Sequence, residues 1–310
     1  MATTEVHPFA NLEKYLEAIH GQYEACLGHI EHEYSIDGVE VNLRLHHVKF
    51  NGDSEPIFEA LAECLVQHVN YYCISARKRQ EPVTQHGAIE LFLKARDALR
   101  KFSTSGETGE LLLCFLLESV LKSPQVVCKL ELKTAAGDEV KGGDGIHITW
   151  DEASDTLNVY LGEAKLYQTF GGALTSAFDS IKKIRETKRK EHELRLVTSH
   201  FKFLDTEVQT KISEYLDEKV PVGNVRIKHA CLIGFDWDEY KHLMTDGRAA
   251  FVKEFETRYR EHAKEIIDKT NELFVGFPHR NIAYEFFFIP FKNVQEFRAA
   301  FYARLGGGPA

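Results

Sequence analysis

The stretch TLNVYLGEAKLY, residues 156–167, constrains the fold more than any other part of the chain. Leu157, Val159 and Leu161 recur at every second position, the period of a β-strand with one face in a core. Val159 and Tyr160 are residue types enriched in strands. Glu163 and Lys165 continue the same alternation, so they fall on the face of the three apolar residues. Charged groups ending an otherwise apolar strand face are costly unless something pairs with them. The stretch therefore demands a covered sheet and a chemical reason for the charges at its end.

Its neighbours supply the sheet. QVVCKLELK (125–133), GGDGIHITW (142–150) and LNVYLGEAK (157–165) read as three strands, and the short turn-rich connections TAAGDEVK and DEASDT suit a meander. A Ser/Thr/Gly-rich lead-in, STSGETGE, opens the apolar helix ELLLCFLLESVLK just before them. After them come the helical run ALTSAFDSIKKIRETKRKEHELRLV, the helix DTEVQTKISEYLDEK and the strand NVRIKHACLIGF. A long amphipathic helix over 246–274, the strand IAYEFFFIPF and a short last helix finish the chain. The expectation is an α/β fold, mixed α+β in character, with a mixed sheet flanked by helices.

Residues 1–104 read as a mainly helical N-terminal region, with helical spacing in ANLEKYLEAIHGQYEACLGHIEHEY, EPIFEALAECLVQHVNYYCIS and AIELFLKARDALRKF and a strand in VEVNLRLHHVKF. Residues 105–310 form the expected core. No Pro/Gly/Ser linker divides the two, so the N-terminal region is either its own domain or a layer on that core.

Composition enters as exclusion. Hydrophobic content of 44% and charged content of 27% are ordinary globular values. No apolar run is long enough to span a bilayer, and MATTEVHPFANLEKYLEAIH lacks a basic start followed by an apolar stretch, so a cytoplasmic protein is expected. The six cysteines stand singly without CxxC spacing, which points away from a zinc ribbon or disulfide framework. His46–His47 and His29/His32 have no HExxH context, and no GxSxG, P-loop or GxGxxG setting is present. Phe286, Phe287 and Phe288 read as sheet core rather than as a base-stacking platform.

Glu163-Ala164-Lys165 is one of four ExK triplets, so context decides. Glu186-Thr187-Lys188 lies in a charge-rich helical run, and Glu239-Tyr240-Lys241 follows a strand in a polar stretch. Glu131-Leu132-Lys133 is on a strand but precedes the acidic one. Only Glu163 follows an adjacent strand that begins with a carboxylate, Asp144, flanked by Gly142, Gly143 and Gly145. A hairpin joining the two strands brings Asp144 and Glu163 to the same end. Two hard oxygen ligands with open positions suit Mg²⁺, with Mn²⁺ as a substitute, and Lys165 beside them would orient a nucleophile. Glu110, opening the apolar helix, is either a carboxylate favourably placed at a helix N-terminus or an additional ligand for metal or water.

This order of helix-Glu, Gly-flanked Asp, ExK and helix resembles the PD-(D/E)xK nuclease superfamily over residues 105–235. More narrowly, GELLLCFLLESVL, KGGDGIHI, YLGEAKLYQTFGGAL and HHVKFNGDSEPIFEALAECLVQHVNYYC resemble HamA, the nuclease subunit of the Hachiman anti-phage defence system. The resemblance implies a restriction-endonuclease-like core. It implies that Asp144 and Glu163 bind metal, that Glu110 completes the site and that Lys165 assists the nucleophile. Gln168 would match a polar residue that some superfamily members place after the strand. Gly143 stands where the superfamily's name puts proline.

The resemblance further implies a partner, a superfamily 2 helicase of the HamB kind, with DNA as substrate. A net charge of −9 fits that arrangement, because phosphate neutralisation supplies most non-specific DNA affinity. One local basic run exists: Lys182, Lys183, Arg185, Lys188, Arg189 and Lys190. Interleaved with Glu186, Glu191 and Glu193, it reads equally as a solvated helix face. The competing readings are a catalytically inactive nuclease-like interaction module and an unrelated α/β protein in which Glu163 and Lys165 form a structural pair.

Overall fold

The computed structural model describes residues 7, 9–18, 21–73, 85–101, 106–127, 144–186, 206–216, 224–243 and 247–306. Within them the strands are β1 (Leu27–Ile30), β2 (Val41–Val48), β3 (Gln125–Val127), β4 (Ile146–Asp151), β5 (Thr156–Tyr167), β6 (Asn224–Asp236) and β7 (Ala283–Phe291). The helices are α1 (Gln22–Cys26), α2 (Phe58–Cys73), α3 (Gln85–Lys101), α4 (Glu107–Leu121), α5 (Phe170–Glu186), α6 (Thr206–Leu216), α7 (Arg248–Phe274) and α8 (Val294–Arg304). The order helix, three strands, helices, strand, helix, strand predicted after residue 105 is the order observed.

All seven strands join one sheet in the order β1-β2-β7-β6-β5-β4-β3. The centre, β2-β7-β6-β5, is parallel, and the pairs β1–β2, β5–β4 and β4–β3 are antiparallel. This is the mixed α/β sheet expected.

The helical reading of residues 10–34 is corrected. The chain makes a 3₁₀ turn at Leu12–Tyr15 and the short α1, then enters β1. Leu27 and Ile30 are buried by pairing with Val48 and Leu45, and that tertiary pairing overrides the local helical spacing. The region before residue 104 thus supplies two strands to the same sheet that holds β5. It also supplies α2 and α3, whose Leu61, Leu65, Ala95 and Leu99 pack against one of the sheet's faces.

The alternation of side chains divides the core. On one face Tyr160 and Leu166 of β5, Ala230 and Leu232 of β6 and Phe287 and Ile289 of β7 pack under α2, α4 and α8. On the other, Cys231, Ile233 and Phe235 of β6 and Phe286 and Phe288 of β7 pack under α5 and α7. The three consecutive phenylalanines are fully buried, two to one face and one to the other, as sheet core. Leu157, Val159 and Leu161 fill a third cluster beside α6 and the end of α5. The described cysteines carry free thiols. Among the described residues no helix is long and apolar enough to cross a membrane.

Gly234, near the C-terminal end of β6, is a close-approach position. A methyl there would collide with Leu166 Cδ2 and sit 2.8 Å from Phe291 Cε2. Gly234→Ala should destabilise the protein by about 1–3 kcal/mol, the usual cost of overpacking a filled core. Urea unfolding checks this, and an unchanged midpoint would show that this face has slack.

Candidate active site

The site begins in the β4–β5 hairpin. Asp151 fixes its turn, accepting from the Ala153 amide at 3.1 Å and from the Ser154 hydroxyl at 2.6 Å. From there the strands run in register from Asp151↔Thr156 to Ile146↔Leu161. Beyond that last rung the Asp144 amide donates to the Gly162 carbonyl at 2.7 Å, and the Gly162 amide to the Gly145 carbonyl at 2.9 Å. Asp144 and Glu163 therefore reach the same end of the hairpin. The Asp144 side chain turns onto β5, where its Oδ2 accepts from the Ala164 amide at 2.7 Å.

Both carboxylates are buried, Asp144 at 9% exposure and Glu163 at 6%. Lys165 Nζ lies 2.5 Å from Glu163 Oε1 and keeps only 18% of its side chain exposed. Ser180, on α5, hydrogen-bonds Glu163 from the covering helix. On β6, Cys231 lies opposite Glu163 and Ile233 opposite Lys165. The pair of charges thus sits between a strand and a helix, with little water to screen it.

Its electrostatics follow. Burial, then the neighbouring Asp144 charge, raise the Glu163 carboxyl to about 7, and Lys165 offsets only part of this. Burial alone would pull the Lys165 ammonium down, but Glu163 and Asp144 together hold it above its ordinary value. Two carboxylates thus face one ammonium in a poorly solvated place. Such a negative excess is what a cation relieves. The donors are hard oxygens, suited to a small divalent ion that keeps several waters. Among the described residues no group of three or more His, Cys, Asp or Glu is arranged to hold a metal, so an ion here would have few protein ligands.

The other predicted residues are placed as follows. Glu110, in the first turn of α4, is 4% exposed, and its Oε2 accepts from the Tyr72 hydroxyl at 2.8 Å. Helix α4 packs through Gly109 onto Ala164 and Leu166, whose side chains leave β5 on the face opposite Glu163 and Lys165. Gln168 is exposed in the turn after β5. Lys182 and Lys183 are exposed on α5, whereas Lys188, Arg189 and Lys190 lie outside the described residues. Arg185 leaves the expected basic face: it turns inward, and its Nε donates to His229 Nε2 at 2.9 Å. Burial and the Arg185 charge lower His229 to about 3, so it accepts as a neutral ring.

The competing triplets stay apart from this chemistry where they are described. Glu239 pairs with Arg258 at 2.6 Å and Lys241 with Asp238 at 2.5 Å, all on the protein's exterior. Glu131, Lys133 and Lys188 lie outside the described residues. Sequence reasoning missed Ser180. Its signal was the spacing of Ser176 and Ser180, one helical turn apart on the helix that directly follows the ExK strand.

No curated protein sequence matches the chain. A family model described as HamA matches residues 24–305, from α1 to the end of α8 and across Glu110, Asp144, Glu163 and Lys165. The chain therefore belongs to the HamA family, a family associated with Hachiman defence.

Proposed function

We propose that this protein is the nuclease subunit of a Hachiman defence complex, a Mg²⁺-dependent deoxyribonuclease of PD-(D/E)xK type. The observation that carries the reading is the buried, negatively unbalanced group Asp144–Glu163–Lys165 at the end of the β4–β5 hairpin. Asp144 and Glu163 would hold the ion, and Mn²⁺ could replace Mg²⁺. Bound there, the ion would supply acidification of the attacking water and neutralisation of charge on the scissile phosphate.

The chain's own groups do the rest. The Ala164 amide fixes the direction of the Asp144 carboxylate, and the Ser180 hydroxyl that of Glu163. Lys165 stays protonated beside them, able to orient the attacking water and to stabilise charge on the phosphate oxygens. Water adds across the P–O bond, and the proton it loses is balanced by the one the leaving oxygen gains.

A chain of net charge −9 holds DNA poorly by its own field, which supports delivery of the substrate by a partner, a superfamily 2 helicase of the HamB kind, in the cytoplasm. Lys182 and Lys183, with Lys188, Arg189 and Lys190, would supply the local cationic surface in this reading, and Gln168, exposed just past the strand end, would contact the substrate. The test is plasmid and linear DNA incubated with the chain alone, the helicase alone and the complex, in Mg²⁺ and in EDTA. Cleavage by the complex only in Mg²⁺ is expected, and a complex that leaves DNA intact in Mg²⁺ overturns the reading.

Glu110 is ranked by the same assay. Because α4 packs on the other face of β5, Glu110→Gln should slow cleavage by about 10- to 100-fold, the range for residues that support metal ligands. A loss equal to that of Glu163→Gln would place Glu110 directly on the ion.

A further inference from the structure

Three side chains of β5 follow one another on the site's face at alternate positions: Glu163, Lys165 and Tyr167. The first two are buried and charged. The third is a large ring with 42% of its surface exposed.

Single exposed aromatic residues are common and need no function. Tyr167 differs because it is held from two sides. Its hydroxyl shares a hydrogen bond with Ser176 Oγ of α5 at 3.0 Å. Its ring edge rests against the first turn of the same helix, where a Cβ at Gly172 would lie 3.6 Å from Tyr167 Cδ2 and 2.8 Å from Thr169 Oγ1. A glycine inside a helix costs about 1 kcal/mol relative to alanine. At Gly172 it leaves room for the capping Thr169, whose hydroxyl accepts from the Gly172 amide at 3.3 Å, and for the ring. The result is an aromatic ring fixed in orientation and open to solvent. It lies about 7 Å along the strand from Lys165 and about 13 Å from Glu163 at the usual rise per residue.

We infer that Tyr167 is a substrate-positioning residue, its ring stacking on a nucleobase of the strand whose phosphate is cut at Asp144 and Glu163. The inference rests on the nuclease reading above. Stacking on a pinned ring is tolerant of base identity, as suits a chain without any base-reading motif. It would set the register of the strand relative to Lys165 without taking part in the hydrolysis.

The test uses the full-length chain at low ionic strength, with Ca²⁺ in place of Mg²⁺ so that the strand is bound and not cut. The probe is a short single-stranded oligodeoxynucleotide carrying, at one position at a time, a fluorescent adenine analogue quenched by stacking. Wild type and Tyr167→Phe should quench the analogue at one or two neighbouring positions. Tyr167→Ala should lose that quenching and bind about tenfold more weakly, the effect of removing one stacking ring. In Mg²⁺ the helicase complex carrying Tyr167→Ala should cleave with a raised KM and kcat little changed.

Quenching in Tyr167→Ala equal to wild type, or none in wild type at any position, overturns the stacking role. The nuclease reading fails separately, if wild type quenches the probe yet neither it nor the helicase complex cuts DNA in Mg²⁺.

Discussion

Glu163→Ala and Lys165→Ala should each reduce Mg²⁺-dependent cleavage by the helicase complex at least about a hundred- to a thousandfold, the loss expected when one preorganised charge is removed from a reacting centre. Phage protection should vanish with it. Both side chains act on an ion, a water and a phosphate in this account rather than on packing, so circular dichroism and solubility should stay those of wild type. The contrast comes from the other triplets. Lys241→Ala breaks only an exposed ion pair with Asp238, of a kind that contributes little, and should cleave at near wild-type rate. Lys133→Ala and Lys188→Ala should do the same. Single-turnover rates on end-labelled duplex separate these cases. Near wild-type cleavage by either Glu163→Ala or Lys165→Ala would remove the site from the hairpin.

Stability should change in the opposite direction. The Glu163 carboxyl titrates at about 7 in the fold against an ordinary 4.5, because burial and Asp144 disfavour its charge. Between those values the folded chain binds more protons than the unfolded one, so this residue's contribution to stability falls as pH rises. The shift corresponds to about 3 kcal/mol once Glu163 is fully ionised. Glu163→Gln removes the charge and keeps an oxygen for the Ser180 hydroxyl. In EDTA the variant should therefore exceed wild type by about 3 kcal/mol near pH 8 and match it near pH 4. Urea unfolding at the two pH values measures the difference directly. Mg²⁺ at pH 8 should raise the melting temperature of wild type by mass action and leave Glu163→Gln nearly unmoved. A stability gap independent of pH would mean that Glu163 is not held in an electrostatically strained pair.

The hairpin was legible because alternation, turn residues and charge all agreed. Leu157, Val159 and Leu161 set the face, the turn at Asp151 set the register, and the register put Asp144 level with Glu163. What lay across the sheet was not legible. Glu110 sits on an apolar helix stripe, which says that α4 is buried but not against which face. Only Gly109 meeting Ala164 and Leu166 answers that. The first strands were hidden for a different reason. Leu27 and Ile30 fit a helical stripe as well as a strand, and the partner that decides, β2, is set by pairing rather than by local spacing. Arg185 illustrates a third limit. Charge spacing placed it with the solvated lysines, yet a buried imidazole on β6 captures it.

In the proposed mechanism Asp144 and Glu163 together hold the catalytic ion. Crystals of the chain soaked in Mn²⁺ at pH 8, with data collected for the anomalous signal of manganese, test it most directly. A peak at metal–oxygen bonding distance from both carboxylates is expected, lost in Glu163→Gln crystals treated identically. A peak held by other residues, or both carboxylates well ordered with no peak between them, would contradict it.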